Sequence, residues 1–261
     1  MKERSESIRN KLPALLALGG LVLFWWLLTL TGWVPEYMLP SPVAVVRAFI
    51  GDFPILARHA LVSLEEAAAG LLIGILLAFG IAVLMERFLT MESALMPLLV
   101  ISQTIPTIAI APLLVLWMGF GVAPKIMLVI ITTFFPIAVG TLEGFKSADP
   151  DAVALLRSMN ASWGQIFRHV KFPASLPHFF SGLRVSASYA MVGAVISEWL
   201  GGFEGLGVYM IRVRKAYAFD KMFAVIILIV IVSLLLMGAV SGLRRLVMPW
   251  ERIRNAEQRK D

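Results

Sequence analysis

The chain has 261 residues, of which 59% are hydrophobic and 15% charged, with a formal net charge of +6. A soluble domain carries about 25% charged residues, so this composition cannot build an ordinary water-facing surface, and its hydrophobicity excludes intrinsic disorder. The absence of cysteine excludes disulfides, thiolate metal sites, iron–sulfur clusters and cysteine nucleophiles together.

The apolar surface therefore belongs in a bilayer, where a spanning helix needs about 20 mostly apolar residues. Leu12–Thr31 is the first such stretch and carries no charge. Lys2, Arg4, Arg9 and Lys11 precede it like the basic region of a signal peptide. Signal cores run only about 7–15 residues and end at a small-residue cleavage site. This one is longer and ends Leu30-Thr31-Gly32-Trp33, so a retained anchor is expected. Trp33–Ala60 holds Pro35, Pro40, Pro42 and Pro54 and is expected to be a loop, with one short helix starting at Pro42. Five further spans follow at Leu61–Leu84, Leu95–Trp117, Ile126–Leu142, Leu183–Leu200 and Met222–Val240. The fourth span is short and carries Pro136, a site for a kink whose freed carbonyl a neighbouring helix can satisfy.

The expected fold class is an all-α integral membrane protein of about six transmembrane helices. It forms a single domain over 1–261, with an inner loop at 143–184 and an external loop at 33–60. Six spans put both termini on one side. With the N-terminus inside, only seven of the 23 basic residues fall outside: Arg47, Arg58, Lys125, Arg212, Arg214, Lys215 and Lys221. The positive-inside rule then places both termini in the cytoplasm. Gly70 and Gly74, Gly140 and Gly144, and Gly238 and Gly242 each put two glycines on one helix face, where backbones can approach closely in lipid.

Glu143–Arg184 looks ordered. Asp149-Pro150 is an N-cap followed by proline at the first helical position, and a helix runs Asp151–Met159. Asn160 breaks it, because asparagine tolerates the left-handed region. Ser162-x-x-Gln165 is a capping-box pattern for a second helix, Trp163–Val170, which Pro173 ends. Trp163, Ile166, Phe167 and Val170 share one face of it. By spacing alone this helix pair is either a cap on the bundle or a docking surface that uses such a stripe.

The residues from Arg157 to Pro177, including Ser158, Asn160, Ala161, Trp163, Ile166, Phe167, Pro173 and Pro177, resemble the EAA loop of ATP-binding-cassette importer permeases. They look most like the nitrate, sulfonate, taurine and thiamine-precursor subfamily. Leu39-Pro40-Ser41-Pro42, Gln103-Thr104-Ile105-Pro106, Trp117-Met118-Gly119-Phe120-Gly121, Phe134-Phe135-Pro136 and Glu198-Trp199-Leu200-Gly201-Gly202 are similar as well. The resemblance covers roughly Leu39 to Val240. The family loop opens Glu-Ala-Ala and has glycine at its central turn. Here those positions are Ala154, Leu155, Leu156 and Asn160, and Asp151, one turn earlier, is the candidate substitute for the missing acid.

The resemblance implies a permease subunit of an importer driven by a separate ATPase that grips the Asp151–Lys171 helices. It also implies an external or periplasmic solute-binding protein and a second permease copy, here a homodimer. No nucleic-acid partner is expected. No phosphate loop, Gly-x-Ser-x-Gly elbow or His-Glu-x-x-His spacing occurs. No cofactor, metal or catalytic residue is therefore expected on this chain, with ATP and Mg held by the partner. Candidates for the translocation path or gate are Gln103, Thr104, Pro106, Glu198 and Trp199. For Glu198 the bland alternative is an interfacial carboxylate in a salt bridge, and for Gln103 and Thr104 an interhelical hydrogen bond. The solute expected first is a pyrimidine precursor of thiamine, then a sulfonate, taurine or nitrate. The alternative function is an ion-gradient-driven transporter or channel, which predicts inverted repeats and a mid-membrane ionisable pair. An intramembrane enzyme is the third reading.

Overall fold

The computed structural model describes the backbone of residues 2–250 and the side chains of residues 12–250. The terminal basic residues used in the orientation count, Lys2 to Lys11 and Arg252 to Lys260, lie outside the described side chains. Among the described residues the regular elements are all helices: α1 (Lys2–Leu30), α2 (Pro42–Gly51), α3 (Phe53–Arg87), α4 (Leu89–Thr104), α5 (Thr107–Met118), α6 (Ala123–Lys146), α7 (Pro150–Ser158), α8 (Trp163–Ile166), α9 (Phe172–Glu198), α10 (Leu206–Lys215) and α11 (Phe219–Val247). A π-turn over Phe167–Lys171 joins α8 to α9. Five helices are long and apolar enough to cross a membrane, and α4 with α5 makes a sixth if the bent pair is one span. Residues 2–59 with 209–228 form one compact unit and residues 60–208 with 229–250 a second.

Three expectations change. The expected single span Leu95–Trp117 is instead two helices bent by 100° at Ile105-Pro106. Pro106 has no N–H to continue the helix, and its ring drives Ile105 to an extended backbone (φ −82°, ψ 119°). Pro54 does not hold its segment open. It sits in the first turn of α3, where no N–H is needed, so the helix begins at Phe53 and the irregular part of 33–60 is shorter than expected. Pro173 does not end the second loop helix. The chain stays helical from Trp163 to Glu198, 36 residues, or about 54 Å at 1.5 Å per residue. In the π-turn the Phe172 N–H donates to the Phe167 carbonyl, five residues back. That widened turn carries Pro173 past the carbonyl it would strike in an α-helix.

In the second unit the dominant contact is α6 against α9. Glycines on both helices let the backbones close. A Cβ on Gly144 would meet the Ser175 backbone at 2.7 Å, and one on Gly182 would strike the Pro136 carbonyl. Ser186 Oγ donates to the Thr133 carbonyl at 2.8 Å, one turn before Pro136, so α9 supplies a polar partner at the proline-weakened stretch of α6. Gly70 and Gly74 face Val129 and Thr133 of α6 in the same way, whereas a Cβ on Gly238 or Gly242 would meet nothing within 4 Å among the described residues. Two of the three glycine pairs are thus packing faces within this chain. Gly144→Ala should cost about 1–3 kcal/mol through overpacking, read as a lower Tm in detergent. Gly238→Ala should leave Tm unchanged or slightly raised, because alanine is the better helix former. Equal Tm for the two variants would show that α6 and α9 do not depend on that close approach.

In the first unit, Ser41 caps α2 by accepting from the Ala44 N–H (3.2 Å). Trp25 of α1 donates through Nε1 to the Pro40 carbonyl (3.1 Å) and stacks on Phe223, with centroids 5.7 Å apart. None of the Leu12–Leu30 window is buried within the chain, so those side chains require lipid or another chain. Asp52, between α2 and α3, accepts from Lys221 Nζ (2.8 Å) and from the Tyr209 hydroxyl (2.6 Å).

The Lys221 ammonium, and then the Tyr209 hydroxyl, hold the Asp52 carboxyl below its ordinary 3.8. Burial, reinforced by Asp52, pushes the Tyr209 hydroxyl up. A depressed carboxyl contributes stability above its unfolded value that is lost as pH falls through the lower folded value. The Tm advantage of the parent over Asp52→Asn should therefore be constant from neutral pH down to the ordinary carboxylate range, and shrink only below it. An advantage that vanishes at pH 5–6 would contradict this assignment.

Candidate functional site

The loop between α6 and α9 is a small folded structure with its own core. Asp149 Oδ1 accepts the Asp151 N–H at 2.9 Å, and Pro150 opens α7 where its missing N–H costs nothing. The helix ends on Asn160 in the left-handed region (φ 60°), and the Ala161 N–H reaches back to the Leu156 carbonyl at 3.0 Å. This is the helix end at which glycine is usual and asparagine is tolerated. The expected capping box is complete: the Ser162 N–H donates to Gln165 Oε1 (2.7 Å) and the Gln165 N–H to Ser162 Oγ (3.4 Å). Ala148, Val153 and Ile166 are buried together, with Leu156, Ala161, Val170 and Ala174 packed on them. Trp163 stacks on Phe167, centroids 5.0 Å apart, and Phe167 meets Phe145 of α6 at 5.1 Å.

The loop candidates therefore divide by face. Ala161, Trp163, Ile166 and Phe167 point into the loop core and its seam with α6. Asp151, Ala154, Arg157, Ser158 and Asn160 lie on the exposed face, along with two large apolar side chains, Leu155 (62% exposed) and Met159 (69%). Leu156, Met159, Asn160, Ala161, Gln165 and His169 line a shallow groove of about 360 Å³ there. Pro173 and Pro177 belong to α9 and lie outside this face.

At the other end of α9 stands a buried polar cluster. Glu198 is 2% exposed. It accepts from Ser63 Oγ of α3 (2.6 Å) and from the Gly207 N–H (2.5 Å), while Ser63 Oγ accepts the Leu206 N–H (2.8 Å). These bonds satisfy the first N–H groups of α10, where a carboxylate is also favoured by the helix dipole. Gly205 (φ 125°) turns the chain into α10, and any Cβ there would overlap the Glu198 carboxyl. Glu66, one turn after Ser63, accepts from Lys125 Nζ at 2.6 Å, and both side chains are 5% exposed.

Gln103 and Thr104 are exposed at the end of α4, and Thr104 Oγ1 donates to its own helix at Ile101 (2.8 Å). Pro106 makes the bend, and Trp199 is 37% exposed. Glu198 is bonded to α3 through Ser63 and to α10 through Gly207. Ser63, Glu66 and Lys125 are not among the sequence candidates, and Lys125 enters the sequence analysis only through the charge count. A lysine two residues into an apolar helix is the one available clue.

The family model for binding-protein-dependent transport system inner membrane components matches residues 70–252. A probable ABC transporter permease protein of Haemophilus influenzae is 38% identical, over 89% of this chain and 95% of the relative. The formylaminopyrimidine transport permease protein ThiX of Halalkalibacterium halodurans is 36% identical, over 83% of this chain and 87% of the relative. Among solved structures, the MetNI methionine ABC transporter in an inward-facing conformation is similar in fold, with TM-score 0.64 and 19% identity over 75% of this chain and 97% of that one. The chain therefore belongs to the binding-protein-dependent transport family, as an ABC importer permease of the inner membrane.

Proposed function

We propose that this permease forms the pathway for a small organic solute and that its α7–α8 loop receives the movement of a separate ATPase on the cytoplasmic side. The observation that carries this is the joint between loop and span. The loop exposes Leu155 and Met159 on one face, and its second helix continues without interruption to Glu198. Displacement of the loop then becomes displacement of a membrane helix, the rigid-body kind of transition. ATP and Mg are held by the partner, both termini face the cytoplasm, and two copies of the chain complete the pathway.

A pyrimidine precursor of thiamine is the first solute to test, because a formylaminopyrimidine permease is 36% identical. Sulfonates, taurine and nitrate follow, with relatives named for aliphatic sulfonates, riboflavin and taurine at 30%, 31% and 27% identity. The test is the chain co-expressed with its ATPase and binding protein in nanodiscs. The expected result is ATP hydrolysis stimulated by binding protein loaded with formylaminopyrimidine, together with uptake of that solute in vesicles. Stimulation by taurine or a sulfonate alone would replace the solute. Failure of any ATPase to associate would overturn the reading.

A further inference from the structure

The two ends of the α7–α8 loop are held by one short segment elsewhere in the chain. At the loop's start, Lys146, the last residue of α6, pairs with Glu92 in the first turn of α4. At its far end, Lys171, the last residue of the π-turn, pairs with Glu86 in the last turn of α3. Between them the Arg87 guanidinium lies over the Trp163 ring at 5.3 Å, and over Phe88 at 5.5 Å. Phe79, two turns back in α3, completes the apolar side. Its ring meets Phe145 and Phe172, each at 6.1 Å, so it touches both flanks of the loop.

We propose that the α3–α4 turn is a second output of the loop, with Glu86, Arg87 and Glu92 acting as positioning residues that pass its movement into the broken pair α4–α5. The proposal rests on the permease reading above. The loop cannot shift relative to α3 and α4 without parting two ion pairs and a cation–π contact. One of those pairs is well shielded, with Lys171 18% and Glu86 7% exposed. Separating shielded charges leaves each without compensation, so the turn follows the loop instead. From Glu92 the α4 helix runs on without interruption to Thr104, where the 100° bend stands. One loop thereby drives two membrane elements: α9 through a continuous backbone, and α4–α5 through side chains.

The chain has no cysteine, so a single introduced cysteine is the one labelling site on the permease chain, read after the permease is separated from the ATPase. The permease–ATPase complex in nanodiscs carries Trp117→Cys at the end of α5 or Phe203→Cys just beyond α9, residues 70% and 91% exposed. Maleimide labelling is compared without nucleotide and with ATP plus vanadate. With the bracket intact, both rates should change about fivefold or more, the lower end of ordinary coupling between sites. In Glu86→Gln/Glu92→Gln the change at position 203 should persist and that at position 117 should be lost. The exchanged pairs Glu86→Lys/Lys171→Glu and Glu92→Lys/Lys146→Glu, made together, should restore it, which a merely weakened fold would not allow. A full response at position 117 in the glutamine double variant overturns the bracket and leaves the permease reading standing. A parent complex in which ATP moves neither position overturns both.

Discussion

Lys125→Met is expected to cost about 3–5 kcal/mol, because it leaves a buried carboxylate without its cation. Lys125 and Glu66 are each about 95% shielded and 2.6 Å apart, and Glu198 stands in the same cluster through Ser63, one turn from Glu66 on α3. Removing the ammonium strands Glu66, whose Oε2 already lacks a partner among the described residues. The double variant Glu66→Met/Lys125→Met should recover most of the loss, since replacing both members of a buried pair by apolar side chains of similar volume is often neutral or better. Tm in detergent and the yield of monodisperse protein measure both effects. If the single and double variants lose the same Tm, Lys125 acts by packing rather than charge. Ser63→Ala gives a third point. It removes the donor to Glu198 and the acceptor for Leu206 together, at about 1–3 kcal/mol for groups left unpaired in a buried site.

That cluster was scarcely legible in the sequence, and the reason is distance along the chain. Glu66 and Lys125 are 59 residues apart, and Ser63 and Glu198 are 135 apart. No periodicity connects such pairs. The loop was far easier to read because its determinants are local. Asp149-Pro150, Asn160 and Ser162-x-x-Gln165 each fix a helix end within four residues, and all three do so in the structure.

The prolines mark the boundary between these cases. Pro106 stands in the sequence only as a pathway candidate within one span, and the 100° bend there depends on how α4 and α5 pack. Pro173 reads in the sequence as a stop because proline in an α-helix removes a bond and clashes with the preceding turn. The π-turn accommodates it, and nothing within Phe167–Lys171 announces a π-turn by composition. The consequence is functional: a loop helix that stopped at Pro173 would be hinged to its span, whereas this one is continuous with it.

Leu155→Asp/Met159→Asp should abolish ATPase association while leaving the permease folded. Both side chains are more than half exposed, at 62% and 69%, so the fold loses little, within about 0.5 kcal/mol for a surface site. At a docked interface each would bury a full apolar side chain, about 1.5–3 kcal/mol. Losing two of them is at least a hundredfold in affinity at 1.4 kcal/mol per decade. Asp151→Ala is the companion variant. Asp151 is exposed in the first turn of α7, where a carboxylate favours the helix by a few tenths of a kcal/mol up to about 1. If it also replaces the missing acid of the loop, stimulated hydrolysis falls while Tm hardly moves. Co-purification of the ATPase, its stimulated rate and the Tm of the permease separate the outcomes. A double variant that still co-purifies its ATPase at the parent level would remove the docking surface from Leu155 and Met159.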